Sequence, residues 1–202
     1  RGKQHHSVTY SYIQNETKNL LSIGSQEAKT SSNQLQYNHL YKKRWLFGMF
    51  AKTIETAIAS ENFPEKNYEI KGYQLAPKIS YLFTKSTSWD LFYELQSKEN
   101  QIGNLETLLQ NRFGTSFTYA GQNKLTMNGE ISFYQNKFTG NEFSSVGFQM
   151  LEGLQTGQNL TWRLLIQKNL TNFLDINLNY QGRKSETSQT IHTGSVELRA
   201  YF

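Results

Sequence analysis

Side chains able to do chemistry are few in this chain and poorly spaced for acting together. There are two aspartates, Asp90 and Asp175, four histidines and no cysteine. The missing cysteine removes disulfides, thiolate metal sites and a thiol nucleophile. His5 and Ser7 come nearest to a base and nucleophile two residues apart, but their parity is opposite to that of Val8, Tyr10 and Tyr12. On a strand they would turn away from the apolar face. Adjacent His5 and His6 would point to opposite faces and could not share a metal. His192 has the parity of Leu198 and reads as an interfacial side chain. The Asn-X-Thr triplets at Asn15, Asn159 and Asn169 read as coincidence in a chain rich in both residues. No glycine-rich phosphate loop, acidic calcium loop or nucleophile motif occurs. The expectation is a protein that is not an enzyme and carries no cofactor or metal. Lys42-Lys43-Arg44 reads as a polar turn, and a net charge of +5 spread along the chain is not a nucleic-acid footprint.

Charge of both signs does recur at one strand parity. Lys78, Glu94, Arg112, Glu130, Arg163 and Arg199 are the principal candidates, with Asp90, Lys124, Asp175 and Glu197 on the same expected face. Rings of charge could set the selectivity of a pore. Alternatively, paired charges and amides fill the narrow interior of a barrel of about eight to ten strands. The second reading is favoured if the chain closes alone, the first if it is the end of a larger barrel.

The elements that would position these charges are strands. Period-two alternation runs through most of the chain. Tyr73, Leu75, Pro77, Ile79 and Tyr81 share one parity, as do Trp89, Leu91, Tyr93 and Leu95. The pattern repeats at Phe113 to Tyr119, Leu125 to Phe133, Leu160 to Ile166 and Leu174 to Tyr180, and more faintly at Val8 to Tyr12, Leu35 to Tyr41 and Trp45 to Ala51. Hydrophobic content of 37% with 14% aromatics argues against disorder. No run of 18 apolar residues occurs, so no transmembrane helix is expected. A membrane barrel would have this composition, because only alternate residues face lipid.

The connections alternate between short and long. Short polar turns are expected at Lys42 to Arg44, Lys85 to Thr87, Gly121 to Asn123 and Asn169 to Asn172. Long loops are expected at Gln14 to Asn33, Ser60 to Asn67, Ser97 to Glu106, Lys137 to Gln158 and Gly182 to Gln189. Outer-membrane barrels have this asymmetry, with tight turns on the periplasmic side. Placing Val146 to Leu154 in a loop gives ten strands, although Val146, Phe148 and Met150 alternate and could form a hairpin arm above the membrane. Trp45, Tyr81, Phe83, Trp89, Tyr119, Tyr180 and Phe202 would form aromatic girdles. Pro77 is awkward in mid-strand because it lacks a ladder donor. The fold expected is therefore all-β: an antiparallel up-and-down transmembrane barrel of about ten strands over residues 1–202, or the C-terminal part of a larger one. Within such barrels a protease of the omptin type is excluded, since both aspartates directly follow short turns and lie at the wrong end. A phospholipase needs its His and Ser on a lipid-facing parity, which His5 and Ser7 lack.

The last strand alternates Val196, Leu198, Ala200 and Phe202 against Glu197, Arg199 and Tyr201. A flush ending on phenylalanine resembles the C-terminal assembly signal of bacterial outer-membrane barrels, which implies an assembly role for Val196, Leu198, Ala200, Tyr201 and Phe202. Asn159 to Phe202, with Gly182-Arg183-Lys184 and the closing Gly194-Ser195-Val196-Glu197-Leu198-Arg199-Ala200-Tyr201-Phe202, resembles the end of large outer-membrane proteins from Bacteroidota, a Gram-negative group. That resemblance implies a barrel at the end of a longer protein, with Arg1 not the true N-terminus and the C-terminus periplasmic. The partners expected are outer-membrane lipid and lipopolysaccharide, the barrel-assembly machinery and other envelope proteins, with no nucleic acid. The leading functional expectation is a structural or interaction role through long external loops. The alternative is a transport channel or the barrel part of a TonB-dependent-type transporter, and the third reading is a soluble lipocalin-like binding module.

Overall fold

The computed structural model describes residues 5–21, 24–103, 105–121 and 124–201. Ten strands follow one another: β1 (His5–Leu21), β2 (Gly24–Tyr41), β3 (Trp45–Ser60), β4 (Tyr68–Leu82), β5 (Thr87–Asn100), β6 (Thr107–Ala120), β7 (Leu125–Thr139), β8 (Gly157–Thr171), β9 (Leu174–Ser185) and β10 (Ile191–Ala200). They form one sheet in sequence order, and each strand pairs antiparallel with the next. This is the up-and-down meander expected from the alternation. One helix, α1 (Ser145–Leu151), interrupts it between β7 and β8, and a short 3-10 turn, Pro64–Lys66, lies between β3 and β4.

The register carries each parity across the sheet without exchange. Phe47, Ile79, Leu91, Thr115, Ile131, Trp162, Gly182 and His192 form one cross-strand row from β3 to β10. Its neighbour on the other face runs Ser80, Asp90, Ser116, Glu130, Arg163, Gln181 and Thr193. Pro77 is accommodated by a local gap. Its pairing with Met49 of β3 is kept, whereas the β4–β5 ladder passes from Leu75 to Lys78 without pairing Ala76 or Pro77. The lost donor thus falls on one side of the strand only.

The apolar face is the exposed one. Phe113 is 57% and Ile131 53% accessible, while Ser132 on the polar face is 0%. Burial of polar residues on that face requires the sheet to curl toward it. Packing at α1 demands the same. Val146, Met150 and Leu151 form one cluster with Tyr68, Ile70 and Leu108, bordered by Ile58 and Phe138. Those partners span β3 to β7, which in a flat sheet is roughly 19 Å at about 4.8 Å per strand. A helix of seven residues reaches them because the strands curve around it. The polar face is therefore concave and the apolar face convex.

Several connections differ from expectation. Gln14 to Asn33 is not a long loop: β1 and β2 stay paired from His5–Leu40 to Leu21–Gly24, so the alternation of short and long breaks at this first hairpin. Polar residues suit a ladder that runs beyond any apolar surface, and Lys18 donates to Glu27 across it at 2.6 Å. That hydrogen bond raises the Lys18 pKa and lowers that of Glu27. Ladders likewise extend into the expected loops at Ser97 to Glu106 and Gly182 to Gln189. The hairpin arm at Val146, Phe148 and Met150 is instead α1. Ser144 caps it by accepting from Gly147 N, and Glu152 ends it in the left-handed region at φ 55°. Val146 and Met150 are both buried while Phe148 faces solvent, a spacing of four that belongs to a helix.

Among the described residues, β1 and β10 pair with no strand on their outer edges. All ten residues of β10 are exposed. The sheet is open.

Burial pushes the Tyr68 phenol above its ordinary value. A raised folded pKa means the neutral form is favoured. Its stabilisation is present below about pH 10, the unfolded value, and is lost as pH rises through the raised one. Met150→Ala should weaken α1 docking by about 2–4 kcal/mol. Limited proteolysis should then cut within residues 140–156 while the strand circular dichroism is kept. Wild type should become similarly sensitive as pH climbs past the tyrosine range.

Candidate functional site

The concave face gathers the sequence-derived charges into pairs. Arg112 of β6 sits at the centre. It lies 2.6 Å from Glu130 of β7 and 3.5 Å from Glu94 of β5, and donates from Nε to Ser132 Oγ at 3.2 Å. Its guanidinium stands 4.8 Å over the Phe92 ring and 5.3 Å from that of Tyr134, a cation–π arrangement. Phe92 can lie flat there because its cross-strand partner is Gly114, where a Cβ would collide with the ring. Arg163 of β8 extends the chain of charge, 3.8 Å from Glu130. Lys78 is 3.8 Å from Asp90.

Other candidates are placed apart. Arg199 pairs with Glu197 of its own strand at 2.8 Å, well below the cluster on exposed β10. Lys124 lies in the bend before β7 with φ 52°. Asp175 accepts from the Tyr201 hydroxyl at 3.2 Å. Val196 and Leu198, at 64% and 63% accessible, project from the convex side with Ala200. Tyr201 N donates to Phe173 O at 2.9 Å, so the chain leaves β10 at the end where the β8–β9 turn lies. Phe202 lies outside the described residues. His192 Nδ1 is 2.8 Å from the Tyr180 hydroxyl, beside Trp162.

Three charged residues that sequence reasoning missed complete the site. Lys98 Nζ donates to Met150 O at 3.1 Å and Glu152 Oε1 at 2.6 Å, so a buried ammonium holds the C-terminal end of α1. A cation there is favoured by the helix dipole. Arg183 Nη1 donates to Gly153 O at 2.8 Å. The exit of the loop is strapped by amides, with Asn136 and Asn159 both donating to Gln155 O at 2.9 and 2.8 Å. Lys98 and Arg183 fell in stretches expected to be loops. Helical spacing from Val146 to Leu151, after Ser144 and before Gly153, was the signal that could have revealed α1.

Between the end of α1 and strands β6 to β10 lies a cleft of about 570 Å³, bordered by Arg112, Glu130, Glu152, Arg163, Gln181 and Arg183. Its lining is mixed, with Leu154, Trp162 and Ile191 beside the charged groups. The chemistry available is hydrogen bonding and charge recognition. Among the described residues no group of three or more potential metal ligands is present.

No known protein family matches the chain, and no curated protein resembles it in sequence. Among solved structures it is similar to the β domain of the Bordetella autotransporter BrkA, at 8% identity and a TM-score of 0.42, covering 98% of this chain and 92% of that one. It is also similar to the transport unit of the autotransporter AIDA-I from Escherichia coli, at 11% identity and a TM-score of 0.38, covering 98% and 75%. Scores of this size leave the fold to be read from the strand order and register above.

Truncating Arg112 strands two half-buried carboxylates together. Arg112→Ala should destabilise the protein by about 3 kcal/mol, measured by denaturant titration. Adding Glu94→Gln and Glu130→Gln to that variant should recover much of the loss.

Proposed function

We propose that the chain is a barrel-forming sheet of an integral outer-membrane protein, with a structural or interaction role and no enzymatic one. The observation that carries this reading is the inverted disposition of the two faces. Trp89, Leu91, Tyr93, Phe113, Phe117, Ile131 and Phe133 form a contiguous exposed apolar surface on the convex side, while charges pair on the concave side. In water such a patch far exceeds what monomeric soluble proteins expose. In a bilayer it is the expected lipid contact. A lipocalin-like module needs the opposite polarity.

The dimensions agree. At about 3.3 Å per residue the run from Tyr73 to Tyr81 covers roughly 26 Å of strand, and a tilt of about 40° makes that roughly 20 Å of height, close to the apolar band of membrane barrels. Trp45, Tyr81, Trp89 and Phe117 align in one cross-strand row near the short-turn end, with Tyr81 4.8 Å from Trp45 and 4.9 Å from Phe83. This suits an interfacial girdle. Beyond the band the convex parity turns polar at Glu69, Lys71, Glu99 and Lys137, as headgroups and lipopolysaccharide would require. On this reading the short turns and Tyr201 are periplasmic, and Val196, Leu198, Ala200, Tyr201 and Phe202 serve as the signal for the assembly machinery. A Bacteroidota origin rests on the tail resemblance alone.

A transport role is the second reading, favoured by the outer edges of β1 and β10, which pair with no strand among the described residues. If the ten strands are the end of a larger barrel, the concave face lines a wider interior. Two measurements test these readings. The protein should sediment with membranes and need detergent for extraction, and Leu91→Arg should cost about 2–4 kcal/mol of barrel stability, as a cation near the bilayer midplane does. A monodisperse detergent-free protein would remove the membrane reading. Cysteines placed on the outer edges of β1 and β10 of the membrane-embedded protein should not form a disulfide if further strands intervene. Efficient cross-linking would instead show a ten-stranded closure.

A further inference from the structure

We infer that the cleft beneath α1 is a binding site for a small solute bearing an oxyanion group, carboxylate or phosphate. This rests on reading the concave face as the barrel interior. The argument is one of leftover charge. Both acids that border the cleft are engaged by a cation, Glu130 by Arg112 at 2.6 Å and Glu152 by Lys98 at 2.6 Å, and Arg112 also meets Glu94 outside it at 3.5 Å. Arg112 thus serves two carboxylates, and with Arg163 and Arg183 the four cations exceed the three acids by one. Arg163 reaches only Glu130, at 3.8 Å and already claimed by Arg112, and its side chain is 65% accessible. Arg183 donates from Nη1 to the carbonyl of Gly153, a neutral acceptor.

The register places these two together. Arg183 is opposite Thr161 and Arg163 opposite Gln181 on the same ladder, so they are diagonal neighbours on one face, with Cβ atoms about 7 Å apart. Thr193 of β10 stands opposite Gln181 and also borders the cleft. Two planar forks with an amide and two hydroxyls between them match an oxyanion, which takes paired N–H donors at fixed geometry. A neutral solute would leave that surplus charge without compensation. The α1 loop forms the roof through Glu152 and Leu154, so the site exists only while the loop is folded inward.

The test uses the detergent-solubilised protein, with citrate and inorganic phosphate as probes and sucrose as the neutral control, followed by calorimetry. Saturable binding of citrate or phosphate is expected, with sucrose silent, and the stronger of the two tells which oxyanion is favoured. Arg163→Gln and Arg183→Gln should each weaken it at least tenfold. Lys184→Gln, which removes a charge from the opposite face of β9, should leave it within twofold. Thr193→Glu, at an exposed position that tolerates substitution, should abolish binding even if an arginine variant fails to fold. Absence of saturable binding by either anion, or equal binding by the arginine and lysine variants, overturns the inference. Detergent dependence of the same preparation is scored separately. A membrane protein that binds neither anion sinks the site alone, and a detergent-free protein that binds sinks the membrane reading alone.

Discussion

Everything in this molecule depends on the register of an antiparallel meander. Successive side chains alternate faces, so a slip of one residue in any ladder would carry its charges to the convex side and its aromatics inward. Here rows of apolar side chains cross from β3 to β10 without exchanging parity, and the charged row runs beside them. The single irregularity in the β8–β9 ladder lies between Asn169 and Thr171, next to the turn. A bulge at that point leaves the alternation of both strands intact.

Inside the curve, electrostatics and packing reinforce each other. The Arg112 cluster draws β5, β6, β7 and β8 together, and Phe92 over Gly114 supplies the flat surface that lets the guanidinium approach. A buried carboxylate without such a partner would be expensive. Higher up, Lys98 donates to the Met150 carbonyl and the Glu152 carboxylate and Arg183 to the Gly153 carbonyl, which fixes the α1 loop against the strands. The apolar side of α1 fills the space over Ile70 and Leu108. Polar and apolar contacts thus hold the same element from two directions.

The convex face shows a smaller version of this economy. Trp162 lies against Gly182 on the neighbouring strand, where any Cβ would meet its indole. His192 lies beside the same ring and stacks on Tyr180. Glycine inside a strand weakens it unless a neighbour covers the exposed backbone, and the indole does so. Toward β10 this cover ends, and the last strand is exposed on both faces.

The strands were legible because period two leaves its mark in side-chain type along the chain. The parity of Lys78, Glu94, Arg112, Glu130 and Arg163 could be read from their neighbours. Alternation is symmetric, however, and says nothing about which face is concave; that came from curvature around α1. Nor could polarity distinguish a loop from a ladder that extends past the apolar band, so β1 and β2 were cut short and Lys98 and Arg183 were overlooked. Seven residues of helix between two strands are too short to dominate a periodicity, and Val146, Phe148 and Met150 mimic a strand. Sequence alone determined the elements, their order and the two faces, because those follow from local chemistry. The pairing of particular charges and the inward fold of α1 were decided only by tertiary structure, because they depend on how far the sheet curls and on which residues distant in the chain that curl brings within reach.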